Sequence, residues 1–425
     1  MKKIVLVILV ITLIVVGYYY KDYLIKDSKV NTVETKKINI VEEILSYDNA
    51  DFNSQFLSYI ESNYDSSVLT KINSSLKENT YTRTLWHDLT GYSYQVLSDL
   101  ANNENLSIID SKMDTMSFVG DVSLADNYKI MPAYDERNKG ISGILSSDVT
   151  NVFNSTFTVV NNEFTISDRG EPLVGKQYTF RANPSRLQIY HDMSVELVTL
   201  ANNHIYDYGS DAFQDALKYL KEYNIPYIGA GSNIDEAKKP YYVVINGYKI
   251  AFVNATRAEK NIMTPEATEE SGGVFRCYDP TELKKVLTDV KKQSDIVVLL
   301  VHWGAEGSHD LEDVQTTTSK EYIDSGADII IGTHAHRLQG MEFYKNKLIA
   351  YNLGDFIFNA YTEETGILTV TISDKGKLTY KFIPCLQENE YTSFLDDSDK
   401  ENLITEMNTW SINVFLDSDG NITEK

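Results

Sequence analysis

Four of the seven histidines in this 425-residue chain stand where an apolar run ends. Val195 to Leu200 runs out into Ala201, Asn202, Asn203 and His204, with Asp207 and Gly209 close behind. Asp295 to Val301 ends in His302-Trp303-Gly304-Ala305-Glu306. Ile329 to Ile331 breaks at Gly332 and delivers His334 and His336, whose alternate spacing on extended backbone puts both imidazoles on one side, about 7 Å apart. Two carboxylates close similar runs: Asp121 after Thr115 to Gly120, and Glu163 after Phe157 to Asn162. A sixth apolar run, Leu348 to Tyr351, breaks into Asn352, Gly354 and Asp355. Imidazole, carboxylate and carboxamide oxygen together suit one or two divalent ions of borderline softness, such as manganese, zinc or iron. Two carboxamides and an imidazole between a buried strand and a helix start are expensive as plain core, because each needs a hydrogen-bond partner or a metal.

Those residues need strands that end at one edge. The repeated order of strand, polar tip, helix and strand is βαβ architecture, so the expected fold is α/β with the tips on one face. The predicted helices cover Ser210 to Tyr223 (with Ser210 or Asp211 as N-cap), Pro280 to Lys292, Ser319 to Ser325 and Lys400 to Trp410. The continuous apolar run at 295–301 reads as a central parallel strand. Tyr241 to Ala255 reads as a hairpin turning at Asn246-Gly247, a type I′ signal. Tyr178 to Pro184, which carries Arg181, reads as a loop and strand at the sheet edge, and Gly366 to Thr371 with Leu378 to Ile383 as antiparallel strands closing the sheet. Residues 38–112 show helical periodicity without a chemical constellation and read as a helical accessory region, in which His87 is structural. Residues 386–425 read as an acidic extension.

Composition narrows the function. A hydrophobic content of 42% supports a packed core, and a net charge of −22 argues against nucleic acid as a partner. Cys277 and Cys385 are too few and too far apart for a disulfide framework or a cysteine-based zinc site. Lys2 and Lys3, the apolar run Ile4 to Gly17 and the belt Tyr18 to Tyr20 fit an uncleaved signal-anchor over residues 1–21, followed by a polar linker at 22–37. The expectation is a single-pass protein of the cell membrane with its bulk outside the cytoplasm.

As an ordered set, GDVSL, NNE, YTFRANP, LANNHIYDYG, HWGAE, GTHAH and YNLGDFIF resemble the motif series of the CapA family of poly-γ-glutamate capsule biosynthesis, over about 115–385. The resemblance implies a calcineurin-like metallophosphatase sandwich over 113–385. It implies Asp121, Glu163, Asn203, His302, His334 and His336 as metal ligands and His204 as general acid beside Asn203. It also implies Asp207 and Asn202 as catalytic residues beside His204 in sequence, and Trp303, Glu306, Asn352, Asp355 and Arg181 as residues around the substrate. Two departures stand out: Ser123 occupies the place where such phosphatases carry a histidine in Asp-x-His, and Gly354-Asp355-Phe356 replaces Gly-Asn-Phe. The expected function is metal-dependent hydrolysis of a phosphoester or amide in capsule synthesis, in contact with an anionic polymer and other capsule-synthesis membrane proteins. The alternative is a non-catalytic accessory that guides the polymer during export or attachment.

Overall fold

The computed structural model describes residues 39–109, 113–259 and 263–425. The expected anchor and linker, 1–21 and 22–37, lie outside the described residues, and among the described ones no helix is long and apolar enough to cross a membrane.

The chain divides between residues 81 and 82 into two compact units. In the first, helices Ile40–Leu45, Ser54–Asn63 and Ser67–Lys77 bury Ile44, Leu57, Ile60 and Ile72, and Asn39 and Asn53 cap the first two through their side chains. The helical region expected as one piece over 38–112 is therefore divided. Helices Thr84–Thr90 and Tyr94–Ala101 belong to the larger unit, where His87 Nε2 lies 2.9 Å from the Asn246 carbonyl and Ser93 donates to Asp295 at 2.6 Å.

The larger unit is a sandwich of two sheets. Three parallel strands, β1 (Thr115–Val122), β2 (Phe157–Asn162) and β3 (Val195–Thr199), form the centre of a ten-stranded sheet. Glu363–Ile372 pairs antiparallel with β1, Leu378–Glu388 continues that flank, and Asp355–Ile357 joins the tip of β1 with Asp121 opposite Asp355. The facing six-stranded sheet has four parallel strands, β4 (Tyr248–Thr256), β5 (Ile296–Trp303), β6 (Ile329–His334) and β7 (Lys347–Leu353). Each of its edges is an antiparallel partner, Tyr241–Ile245 on β4 and Leu338–Tyr344 on β7. At the first edge Asn246 and Gly247 both have positive φ, as the type I′ turn requires.

Period-two alternation builds the layers. Met116, Phe118, Phe157 and Val159 face Phe252, Val298, Leu300 and Ile331 between the sheets, with Phe157 stacked on Phe252 at 5.5 Å. The intervening residues, among them Val119, Val160 and Val198 on one side and Val297, Leu299 and Val301 on the other, pack against helices on the two outer faces.

Two helices differ from expectation. The one after β3 runs Gly209–Glu222 behind Tyr208, without a side-chain cap. The one before β6 begins six residues earlier than the sequence indicates, at Asp313, where the Glu312 N–H donates to the Gln315 side chain at 2.9 Å. The residues after 385 are no separate extension either. Leu378–Glu388 runs through that boundary, Tyr391–Phe394 and Asn421–Glu424 pair with it, and Asp397–Trp410 is a helix.

Candidate metal centre

The tips of β1, β2, β5 and β6 meet at one end of the sandwich, and close backbone approach makes this possible. A Cβ at Gly120 would stand 1.8 Å from the Gly354 carbonyl, and one at Gly332 would stand 1.8 Å from the Tyr351 carbonyl. Glycine lets the strands close there, and the next residues turn inward. His334 and His336 take φ values of 96° and 54°. Left-handed backbone at two non-glycine residues costs about 1–3 kcal/mol each, and such strain gathers at functional sites.

Asp121, Glu163 and His302 are fully buried together. Asp121 accepts the His334 N–H at 2.9 Å through one oxygen and an Asn161 amide proton at 2.8 Å through the other. His302 places Nε2 2.8 Å from Asn203 Oδ1 and 3.4 Å from Glu163, while its Nδ1 lies 2.9 Å from the Thr333 hydroxyl. His336 Nδ1 is 2.7 Å from Asp355 and 3.6 Å from Asp121, and its Nε2 is 4.0 Å from Glu163. Three overlapping sets, Glu163-His334-His336, Asp121-Glu163-His302 and Asp121-His336-Asp355, each bring one donor atom per residue within 4.8 Å of the others.

The electrostatics describe a site short of positive charge. Burial pushes Asp121 well above the usual carboxylate range, with the Glu163 carboxylate adding to it, and burial likewise raises Glu163. Burial drives His302 down to about 3 and His334 well below its ordinary value, so both rings are neutral donors of lone pairs. Burial works against the charge on His336 too, but the carboxylates of Asp355, Glu163 and Asp121 outweigh it and hold that imidazole well above its ordinary value. Glu163 Oε1 and His334 Nδ1 are buried without any hydrogen-bond partner. Paired carboxylates, neutral imidazoles and orphaned lone pairs are what a divalent cation satisfies, so the residues fit a metal.

Around this set the other expected residues divide. His204, buried on the turn after β3, directs Nδ1 to Asp207 at 2.8 Å, and Asp207 also accepts the Phe180 N–H at 2.7 Å. Asp207 therefore stands behind His204, away from the open side. Asn202 is a turn residue: its side-chain Oδ1 accepts the His204 and Ile205 N–H groups and its side-chain Nδ2 donates to the Asn162 backbone carbonyl. A cleft of about 320 Å³ opens above the site, lined by His204, His336, Asp355 and Glu306 with Phe180, Phe358 and Tyr361 among its other walls.

Trp303, Asn352 and Arg181 do not reach it. Trp303 is fully buried and donates to the Tyr351 carbonyl at 3.0 Å; next to His302 on a strand, it points to the opposite face. Asn352 is buried and shapes the turn by accepting the Gly354 N–H. Arg181 lies over the Tyr208 ring and donates to the carbonyls of Arg169 and Gly170. Ser123, at the place of the missing histidine, is buried with its hydroxyl unpartnered.

Asn161 is a site residue that the motif pattern does not single out. Its amide nitrogen contacts Asp121, Glu163 at 3.4 Å and His302 Nδ1 at 3.3 Å, while its oxygen accepts from Thr199 and Asn202. Its position on a strand tip two residues before Glu163, and so on the same face, was the available signal.

Residues 115–360, more than half of the chain, match the bacterial capsule synthesis protein family PGA_cap. The capsule biosynthesis protein CapA of Bacillus anthracis is 29% identical over 296 residues, covering 66% of this chain and 70% of that protein. The PGA biosynthesis protein CapA of Bacillus subtilis (strain 168) is 29% identical over 277 residues, covering 63% and 70%. Among solved structures, the chain is similar to the 5'-nucleotidase of Candida albicans SC5314 at 11% identity and a TM-score of 0.36, over 64% of this chain and 52% of that one, too loose a match to carry residues across.

Proposed function

Because the chain belongs to the PGA_cap family of bacterial capsule synthesis proteins, we propose that it is a metal-dependent hydrolase of poly-γ-glutamate capsule biosynthesis. In this reading it is held at the membrane by its first 21 residues, with the bulk of the chain outside the cytoplasm, and it acts on a phosphoester or amide bond of an anionic polymer or its precursor. The observation that carries the enzymatic part is the convergence of Asp121, Glu163, Asn203, His302, His334 and His336, with orphaned lone pairs on Glu163 and His334, beneath an open cleft.

A bound divalent ion, one or two of manganese, zinc or iron, would supply Lewis-acid polarisation of the scissile group and a lowered water pKa. The chain's own residues do the rest. Asp121 and Glu163 are held apart and oriented by the Asn161 amide. His204 offers Nε2, its Nδ1 being engaged by Asp207, as the atom that hands a proton to the leaving group. Phe180 and Phe358 form apolar walls of the cleft beside His204.

The test is elemental analysis of the purified full-length chain beside a His334→Ala/His336→Ala variant, followed by assays on bis-p-nitrophenyl phosphate and a γ-glutamyl peptide. Stoichiometric metal that disappears in the variant, with turnover of one substrate that disappears with it, is the expected result. A wild type that stays metal-free after reconstitution with manganese, zinc and iron would sink the hydrolase.

A further inference from the structure

Beside the centre is a buried charge that the scheme above does not use. Lys176 comes from the loop between Thr165–Ile166 and Arg181–Ala182, and its side chain is only 7% exposed. Its ammonium lies 2.8 Å from Asp207 Oδ1 and 3.1 Å from Glu259, and it donates to the backbone carbonyl of Asn203. The same carbonyl accepts the Thr264 hydroxyl at 2.8 Å. Asn203 is thus gripped by its backbone from two sides while its side chain meets His302 Nε2. Asp207 is gripped likewise, by Lys176 on one oxygen and by His204 and the Phe180 N–H on the other.

We propose that Lys176 is a positioning residue of the metal centre: one ammonium fixes Asn203 toward His302 and Asp207 behind His204, so that a proposed ligand and the proposed proton donor move as one body. The inference rests on the metal-dependent reading of the site. Its physical basis is the expense of burying an ammonium, which is tolerated only where good geometry and further hydrogen bonds offset desolvation. Here three oxygens from three separate residues do so, and two of those residues belong to the turn that carries the site. A purely structural lysine needs only a carboxylate. This one also holds a carbonyl on the residue between Asn202 and His204, where a shift of a few tenths of an ångström moves the Asn203 side chain. Residues that orient metal ligands without touching the metal typically alter affinity about 10- to 100-fold when lost.

The experiment is calorimetric titration of the full-length chain with Mn²⁺, with thermal unfolding and the visible spectrum of the Co²⁺-loaded protein in parallel, for wild type, Lys176→Met and Lys176→Arg. Lys176→Met is expected to bind Mn²⁺ about 10- to 100-fold more weakly and to change the Co²⁺ bands, and Lys176→Arg, which keeps the charge, to recover most of the affinity. Should Lys176→Met fail to fold, Lys176→Arg decides through its Co²⁺ bands, which shift if the head group sets the ligand geometry. Wild-type affinity and wild-type bands in the folded variants would overturn the inference while leaving the metal site intact. A wild type that binds neither ion would overturn the metal reading and this inference with it.

Discussion

Two buried charged clusters in the larger unit are built on opposite terms. At one, Lys249 Nζ meets Asp99 at 2.5 Å, Gln95 donates to the other oxygen of Asp99 at 2.9 Å, and the Tyr242 ring lies 4.7 Å from the ammonium. One buried cation answers one buried anion, with the half-exposed Glu104 3.9 Å from the ammonium, and both buried groups are satisfied. At the other, Asp121, Glu163 and Asp355 gather around a single charged imidazole, His336, while His302 and His334 are neutral and two lone pairs have no partner. The same chain can therefore bury charge with a full complement when a joint is all that is needed. The deficit at the strand tips leaves a group of donors that could hold a cation from outside.

The largest effect should fall on the closed cluster. Lys249→Met strands Asp99 in the interior, and breaking a buried pair from one side costs about 3–5 kcal/mol. Urea unfolding should show that loss equally with and without chelator. A cost below about 1 kcal/mol would erase the contrast. Next in size, the open cluster should respond to metal and the closed one should not. Free Mn²⁺ at about a hundred times its dissociation constant should raise wild-type stability by about 2.7 kcal/mol, and chelator should return it. No metal-dependent shift in the unfolding midpoint would count directly against a site kept for a cation.

How far this contrast could be read from the sequence depended on which rule governed each residue. Apolar runs that end in histidine or aspartate, those of β1 and β6 after a glycine, identified the tips of β1, β3, β5 and β6, because a parallel strand buried on both faces has to be apolar until it ends. Alternation would also have removed Trp303 from the cleft, since neighbours on a strand face opposite ways; nearness to His302 in sequence hid that. Asn161 was hidden for a related reason: a carboxamide between two stronger ligands reads as strand ending until its contacts are seen. The helix at Asp313–Asp324 starts with a polar, β-branched segment of weak intrinsic propensity, so periodicity showed only its later half. Nothing in helical periodicity marks the division at residues 81 and 82, because both sides carry the same pattern. Lys176 sits in a loop, and what a loop lysine touches is decided by tertiary packing alone.

Asn161 sharpens the comparison at a smaller scale. Asn161→Leu keeps the side chain's branched outline, with more bulk, but removes the amide that spaces Asp121 from Glu163. The expected outcome is a loss of Mn²⁺ affinity of about 10- to 100-fold, or about 1.4–2.7 kcal/mol, read by titration calorimetry. In chelated protein the same substitution should matter less for metal-independent folding than Lys249→Met does. Equal Mn²⁺ affinity in wild type and variant would mean that the two carboxylates find their places without it.

The smallest effect comes from a carboxylate that belongs to neither cluster. Glu196, on β3, accepts the Thr158 N–H at 2.6 Å, and burial pushes its pKa up to about 7 from an ordinary 4.5. A folded-state value above the unfolded one means that the folded chain holds the proton more tightly. Glu196 therefore favours the fold fully below pH 4.5, and that contribution is lost as the pH rises through about 7. Each tenfold gain in proton affinity is worth about 1.36 kcal/mol, so the ceiling is near ~3 kcal/mol, and the side of the group open to water brings the expected figure closer to ~1 kcal/mol. Glu196→Gln should flatten this part of the stability curve between pH 4.5 and about 7, to the same extent with metal present or chelated. If the flattening appears only in chelated protein, Glu196 is coupled to the strand tips and the open cluster reaches further along β3 than its contacts suggest. If it appears in both, the stability lost to rising pH in the metal-loaded protein has a source outside the site, and only the additional loss on chelation reports on Asp121 and Glu163.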